Sequence, residues 1–285
     1  MKWVFHHAVR SLRVPLLVLC FGALQGCITV PYWNPDFPAT RELVREEMLR
    51  MEQEHVDRPR PLVILSGYRS PWIAADVLGV RLQALAHIPD DQILVMSYPF
   101  ATSIPDLAER AVKNVEKHWP SSDPNWTTEV DVIGYSMGGI VARLAATDPM
   151  PCSCGSTCRC NQRKRLRIHT LYTLASPHTG AVLADFGTTS SAVRDMTRGS
   201  KLLTYLDEAL KRNEYELVCY AVLEDKIVGS RRTYPQGHLP YWVSGWIIAS
   251  HFQIVWDGRV ITDLALRLRG ETPISIKPTL PPRHE

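Results

Sequence analysis

Gly134-Tyr135-Ser136-Met137-Gly138 constrains this chain more than any other stretch. Residues 129–133 before it read Glu-Val-Asp-Val-Ile and are strand-like. Residues 139–146 after it read Gly-Ile-Val-Ala-Arg-Leu-Ala-Ala and are helix-like. A serine in that setting sits at a sharp strand-to-helix turn that lifts its hydroxyl clear of a sheet. The flanking glycines allow close packing and strained dihedrals. The helix behind it favours negative charge developing beside the serine. By chance alone, G-x-S-x-G occurs in roughly one chain in ten of this size. The strand before and the helix after give it weight, and the serine's partners must lie downstream.

The rest of the chain alternates strands and helices. Residues 40–55 predict a helix with Thr40 as its N-cap, and residues 61–65 a short apolar strand. Helix 72–86, strand 92–97 and helix 104–119 follow, the last with Leu107, Ala108, Ala111, Val112 and Val115 on one stripe. Beyond the motif come strand 168–174, helix 202–211, strand 216–223, a strand-like run at 241–248 and a closing helix at 259–268. Buried-type strands alternating with helices predict an α/β fold with a mostly parallel central sheet covered on both faces. A chain of 285 residues, 45% apolar, can fill one substantial core with appendages. A net charge of +3 gives no electrostatic case for nucleic acid. The expected organisation is a leader at 1–26, a tether and helix at 27–60, a domain at 61–270, and a flexible Pro-rich tail at 271–285.

The leader has the pattern of an export signal. Lys2, Arg10 and Arg13 precede an apolar run at 14–24, too short for a comfortable membrane span. It runs into Leu24-Gln25-Gly26-Cys27, which resembles a bacterial lipoprotein lipobox with Cys27 as the acylated residue. That resemblance implies attachment to the cell envelope, with the outer membrane preferred because Ile28 is not acidic. An insertion at 151–165 carries Cys152, Cys154, Cys158 and Cys160. Four cysteines in nine residues can form two disulfides or hold one metal. The C-x-C-x3-C-x-C spacing lacks zinc knuckles and favours disulfides of unassigned pairing. Cys219, in an apolar strand, reads as a small buried hydrophobe. No motif asks for a metal or cofactor, and oligomeric state leaves no signal.

A serine hydroxyl needs a base, normally histidine, oriented by a carboxylate. With the order serine, acid, histidine, the partners lie after position 136 near strand ends. Asp225 directly follows the 216–223 strand and is the expected acid; Glu224 is the neighbouring alternative, and Asp185 and Asp195 are weaker. His251 follows the 241–248 run and is the expected base, with His238 as the alternative. His178 precedes the acid in sequence and reads as a structural or pocket-rim residue. The oxyanion donors expected are the backbone N–H groups of Met137 and of Tyr68, in Ser66-Gly67-Tyr68-Arg69.

Five landmarks together resemble the α/β-hydrolase lipases and esterases, particularly triacylglycerol-lipase-like and GPI-inositol-deacylase-like members. They are the Gly67-Tyr68 loop, Gly134-Tyr-Ser-Met-Gly-Gly139, Leu174-Ala-Ser-Pro-His-Thr-Gly180, Asp225-Lys-Ile-Val228 and His251. The Arg194–Ser200 stretch is similar too, and the likeness covers 61–269. It implies an α/β-hydrolase fold and cleavage of carboxylic esters, of lipids or other acyl compounds, through an acyl-enzyme. Two features depart from that pattern: Ser66 stands where such lipases often have histidine, and the cysteine insertion is extra. Residues 180–215 could form a cap, with Val182, Leu183, Phe186, Met196, Leu202 and Leu203 facing an acyl chain or simply filling core. Two other functions share this sequence: an envelope acyltransferase or deacylase, and a binding protein without catalysis.

Overall fold

The computed structural model describes residues 32–69, 72–100, 103–148, 164–187, 190–246 and 249–282. Cys27 and the four clustered cysteines lie outside the described residues. Helix α1 (Arg41–Gln53) precedes strand β1 (Leu62–Leu65). There follow α2 (Trp72–Ala86), β2 (Ile93–Met96), α3 (Ile104–His118), β3 (Val130–Tyr135) and α4 (Met137–Ala146). The second half holds β4 (Ile168–Leu174), α5 (Ser191–Asp195), α6 (Lys201–Leu210), β5 (Glu216–Val222), β6 (Tyr241–Val243), α7 (Ser250–Gln253) and α8 (Gly258–Leu268).

The six strands form one sheet in the order β2-β1-β3-β4-β5-β6. Every pairing is parallel. Alternate residues of a strand face opposite sides, so a sheet covered on both faces needs apolar residues throughout. Leu62-Val-Ile-Leu65 meets that demand with every residue buried. Val63 and Leu65 enter a core with α3, α4 and α6. Leu62 and Ile64 enter the opposite core with α1, α2 and α8.

The helices start where capping chemistry starts them. Thr40 Oγ1 accepts from Leu43 N at 3.1 Å. Ser103 Oγ accepts from Asp106 N at 3.3 Å, and Asp257 Oδ1 from Arg259 N at 3.0 Å. The stripe Leu107, Ala108, Ala111, Val112 and Val115 is buried, as its spacing predicts. Helix α4 is buried at all ten residues and packs against β3, β4, β1 and α3.

Three boundaries differ from expectation. Strand β3 continues through Gly134 and Tyr135, so the sheet delivers the serine directly. Strand β6 ends at Val243, not near 248. There Gly245 crosses the end of β5 so closely that a Cβ would lie 1.9 Å from Leu223 O. The Ser244 carbonyl accepts from Arg259 Nη2 at 2.7 Å, which diverts it from a strand ladder. The stretch expected as a flexible tail is hydrogen-bonded to the domain between Glu271 and Thr279. Ser275 N donates to Asp263 Oδ1 at 2.7 Å and Ile276 N to Asp36 O at 2.8 Å. Thr279 N reaches Pro240 O at 3.0 Å, and Trp242 Nε1 reaches Thr279 Oγ1 at 3.0 Å. Single hydrogen bonds to α8, to the entry segment and to the β6 edge, invisible to periodicity, hold this stretch.

Candidate active site

The turn after β3 is as tight as its glycines allow. Ser136 has φ 53° and ψ −124°, a left-handed φ that non-glycine residues rarely adopt. Its N–H donates to Leu174 O at 2.8 Å, which ties the turn to the end of β4. A Cβ on Gly134 would lie 2.4 Å from Gly139 Cα, and one on Gly138 would lie 2.1 Å from Leu65 O. Both are closer than real Cβ contacts, so the motif's glycines are steric requirements.

Ser136, His251 and Asp225 come together from three strand ends. Ser136 Oγ lies 3.0 Å from His251 Nε2. His251 Nδ1 lies 2.8 Å from Asp225 Oδ2. The other carboxylate oxygen, Oδ1, accepts from Ile227 N and Val228 N, each at 2.9 Å, which fixes its plane. All three residues are buried. A carboxylate at Nδ1 requires a proton there, leaving Nε2 able to accept from the serine.

His251 is held from several sides. Ala249 has φ 67° at the start of the one-turn helix α7, which turns the loop back over the sheet. Tyr135 Oη donates to His251 O at 3.3 Å, and the two rings stand 5.4 Å apart. Burial, then the nearby Asp225 charge, pushes the Tyr135 hydroxyl far above its ordinary range, so it stays a donor. Gln253 Oε1 accepts from Trp246 N at 2.8 Å, and its Nε2 donates to Asp257 at 2.9 Å.

The Ser66–Arg69 loop lies against the nucleophile. A Cβ on Gly67 would lie 3.0 Å from Ser136 Cβ. Ser66 Oγ accepts from Tyr98 N at 3.1 Å, and Ser66 N donates to Met96 O at 2.9 Å. These bonds tie the loop to the end of β2. Met137 is the first residue of α4, so its N–H has no partner within the helix.

The alternatives lie elsewhere. Glu224 pairs with Lys226 Nζ at 2.6 Å. Asp185 pairs with Arg232 Nη1 at 2.6 Å, and that bond holds its carboxyl below the usual range. Burial raises the Asp195 carboxyl. His238 lies in the β5–β6 connection with Nδ1 buried. His178 is fully buried, with Nδ1 3.0 Å from Arg143 Nη1 and Nε2 3.0 Å from Thr173 Oγ1.

The 180–215 segment is mixed. Met196, Leu202 and Leu203 belong to the core, whereas Leu183 and Phe186 are exposed by 53% and 82%. Its first turn pairs with the acid's loop through Val182 N to Val228 O and Leu183 N to Ile227 O. Among the described residues, no group of three or more His, Cys, Asp and Glu is placed to hold a metal. Tyr135, Gln253 and Arg143 were missed from sequence. Only Arg143 left a signal there, as the one charge in the otherwise apolar run 139–146.

Residues 104–219 match a protein family described as a PGAP1-like alpha/beta domain. No curated protein matches the sequence. The fold is similar to that of the mature lipase BlEst2 from Bacillus licheniformis, with TM-score 0.51 and 15% identity over 76% of this chain and 94% of that one. It is also similar to lipase B of Aspergillus fumigatus, with TM-score 0.51 and 12% identity over 88% of this chain and 66% of that one. At such identities the likeness is one of fold. The chain therefore has the α/β-hydrolase fold of these lipases, and the segment that matches the PGAP1-like alpha/beta domain runs from α3 into β5.

Proposed function

We propose that this protein hydrolyses carboxylic esters, with Ser136 as nucleophile, His251 as general base and Asp225 as its orienting partner. One observation carries this reading: the continuous relay from Ser136 Oγ through His251 to Asp225, at 3.0 and 2.8 Å, on a strained turn. Ser136 attacks the ester carbonyl as its proton passes to His251 Nε2. The backbone N–H groups of Met137 and Tyr68 receive the oxyanion; one such donor lowers the barrier by about 3 kcal/mol. The tetrahedral intermediate collapses and His251 protonates the departing alcohol. Water, deprotonated by His251, then releases the acid.

Lipid or acyl esters are the proposed substrates. Exposed apolar side chains on segments that follow the carboxyl ends of the strands support this: Phe100, Leu183, Phe186, Trp246 and Phe252. The lipobox-like sequence ending at Cys27 supports a lipid-anchored enzyme in the cell envelope.

The test is fluorophosphonate labelling beside turnover of a p-nitrophenyl ester series. Wild type is expected to label and turn over, and Ser136→Ala to lose both, with kcat down at least about 10⁴-fold. A folded wild type that neither labels nor hydrolyses any ester would overturn the reading.

A further inference from the structure

Behind the nucleophile lies a buried ionic group that the relay does not use. Arg143 projects from α4 and is completely buried. Its Nη1 donates to His178 Nδ1 at 3.0 Å and its Nη2 to Asp207 Oδ1 at 3.0 Å. Its Nε has no hydrogen-bond partner among the described residues. Because the guanidinium can only donate, His178 Nδ1 must accept, and His178 Nε2 carries the proton toward Thr173 Oγ1. His178 is thus held neutral in one tautomer.

Burying a charge in this way is a poor means of gaining stability. An apolar side chain of the same volume often serves as well or better. The connections of this pair suggest another role. His178 ends the turn Leu174–His178, and this turn grips the elbow twice. Leu174 O accepts from Ser136 N at 2.8 Å, and Ser176 Oγ donates to Gly134 O at 3.1 Å. Ser176 also packs against Gly139 so tightly that a Cβ there would lie 2.3 Å from its Oγ. A ring therefore closes from Ser136 along α4 to Arg143, across to His178, and back through the turn to the amide of Ser136.

We propose that Arg143 and His178 are positioning residues for the nucleophile. Their bond fixes α4 against the β4 turn, and so sets where Ser136 Oγ stands relative to His251 Nε2. The proposal rests on the hydrolase reading above. A displacement of about 1 Å caused far from the chemistry can cost a hundredfold in rate.

The test uses the full chain in three variants. His178→Asn keeps an acceptor where Nδ1 stood. His178→Gln keeps a polar group only where Nε2 stood. Arg143→Met keeps volume without donors. Reactive serines are counted by fluorophosphonate titration, so that kcat refers to labelled sites and any misfolded fraction drops out. Arg143→Met and His178→Gln are expected to lower kcat per site by about tenfold or more with KM nearly unchanged, while His178→Asn stays within about threefold of wild type. A kcat per site unchanged in Arg143→Met and His178→Gln, whatever their melting temperatures, would overturn the proposal. So would His178→Asn falling as far as His178→Gln.

A second measurement needs no turnover. The downfield proton of the His251–Asp225 hydrogen bond, read by NMR, is expected to shift in Arg143→Met and His178→Gln and to stay in His178→Asn. No shift in any variant would overturn the proposal. A wild type that takes no fluorophosphonate but shows these shifts would sink the hydrolase reading and leave the positioning role standing.

Discussion

Two buried histidines stand at the ends of two strands, and their partners give them opposite chemistry. His251, beyond β6, has a carboxylate at Nδ1 and a serine hydroxyl at Nε2. His178, beyond β4, has a guanidinium at Nδ1 and a threonine hydroxyl at Nε2. The carboxylate makes the first ring a donor at Nδ1 and an acceptor at Nε2. The guanidinium makes the second an acceptor at Nδ1 and a donor at Nε2. Burial is shared, so it does not decide which ring nitrogen accepts; the sign of the charge facing Nδ1 does.

The largest way to break this contrast is to remove the carboxylate's charge while keeping its shape. Asp225→Asn is expected to present an amide N–H to Nδ1, forcing the tautomer that His178 already has. Nε2 then carries a proton and cannot accept from Ser136. The expected loss in kcat on a p-nitrophenyl ester is about 10⁴-fold. A loss under tenfold would show that the charge at Nδ1 does not set the role of the ring.

A smaller effect separates the two sites by pH. Burial, then the Arg143 charge, holds His178 well below the ordinary 6.5. The unfolded chain therefore binds this proton at a higher pH than the folded chain does. Both forms are neutral above about pH 6.5, where the group adds nothing to the pH dependence. Below that, stability falls by up to about 1.4 kcal/mol per pH unit from this group alone. His178→Asn removes the titration, so denaturant melts at pH 7 and 5 should show a smaller acid loss in the variant than in wild type. Equal losses would place the acid sensitivity in other groups.

The smallest effect sharpens the contrast at the acid. Glu224 precedes Asp225, but its φ of 61° turns the backbone and its carboxylate pairs with the exposed Lys226. Glu224→Gln is expected to change kcat by no more than about threefold, since partly exposed ion pairs contribute at most about 1 kcal/mol. A loss matching that of Asp225→Asn would move the acid role to Glu224.

Much of this was legible in the sequence because it rests on short-range patterns. The motif's glycines, the all-apolar strands and the stripe of α3 each follow from local packing demands. They gave the alternation, the parallel sheet and the elbow. Ser136, Asp225 and His251 could be nominated because each follows a strand. What stayed hidden depends on groups far apart in sequence. The 241–248 run is apolar enough for a long strand, but Arg259 and the close passage of Gly245 end it after three residues. The tail has no periodicity because single backbone bonds hold it. The partner of His178 could not be read either: Arg143 is 35 residues earlier, and nothing local says that its charge turns inward.

The bonds at the edge of β6 bear on when Ser136 and His251 can meet. Asn34 Nδ2 donates to Trp242 O across 208 residues, and the tail crosses the same edge at Thr279. Ser136 meets His251 across 115 residues. A chain that emerges N-terminus first thus presents Ser136 long before His251, and its entry segment waits longer still for a place to dock. Such distant closures come late in folding. Until residue 251 has emerged, the hydroxyl of Ser136 has no imidazole beside it and is an ordinary alcohol.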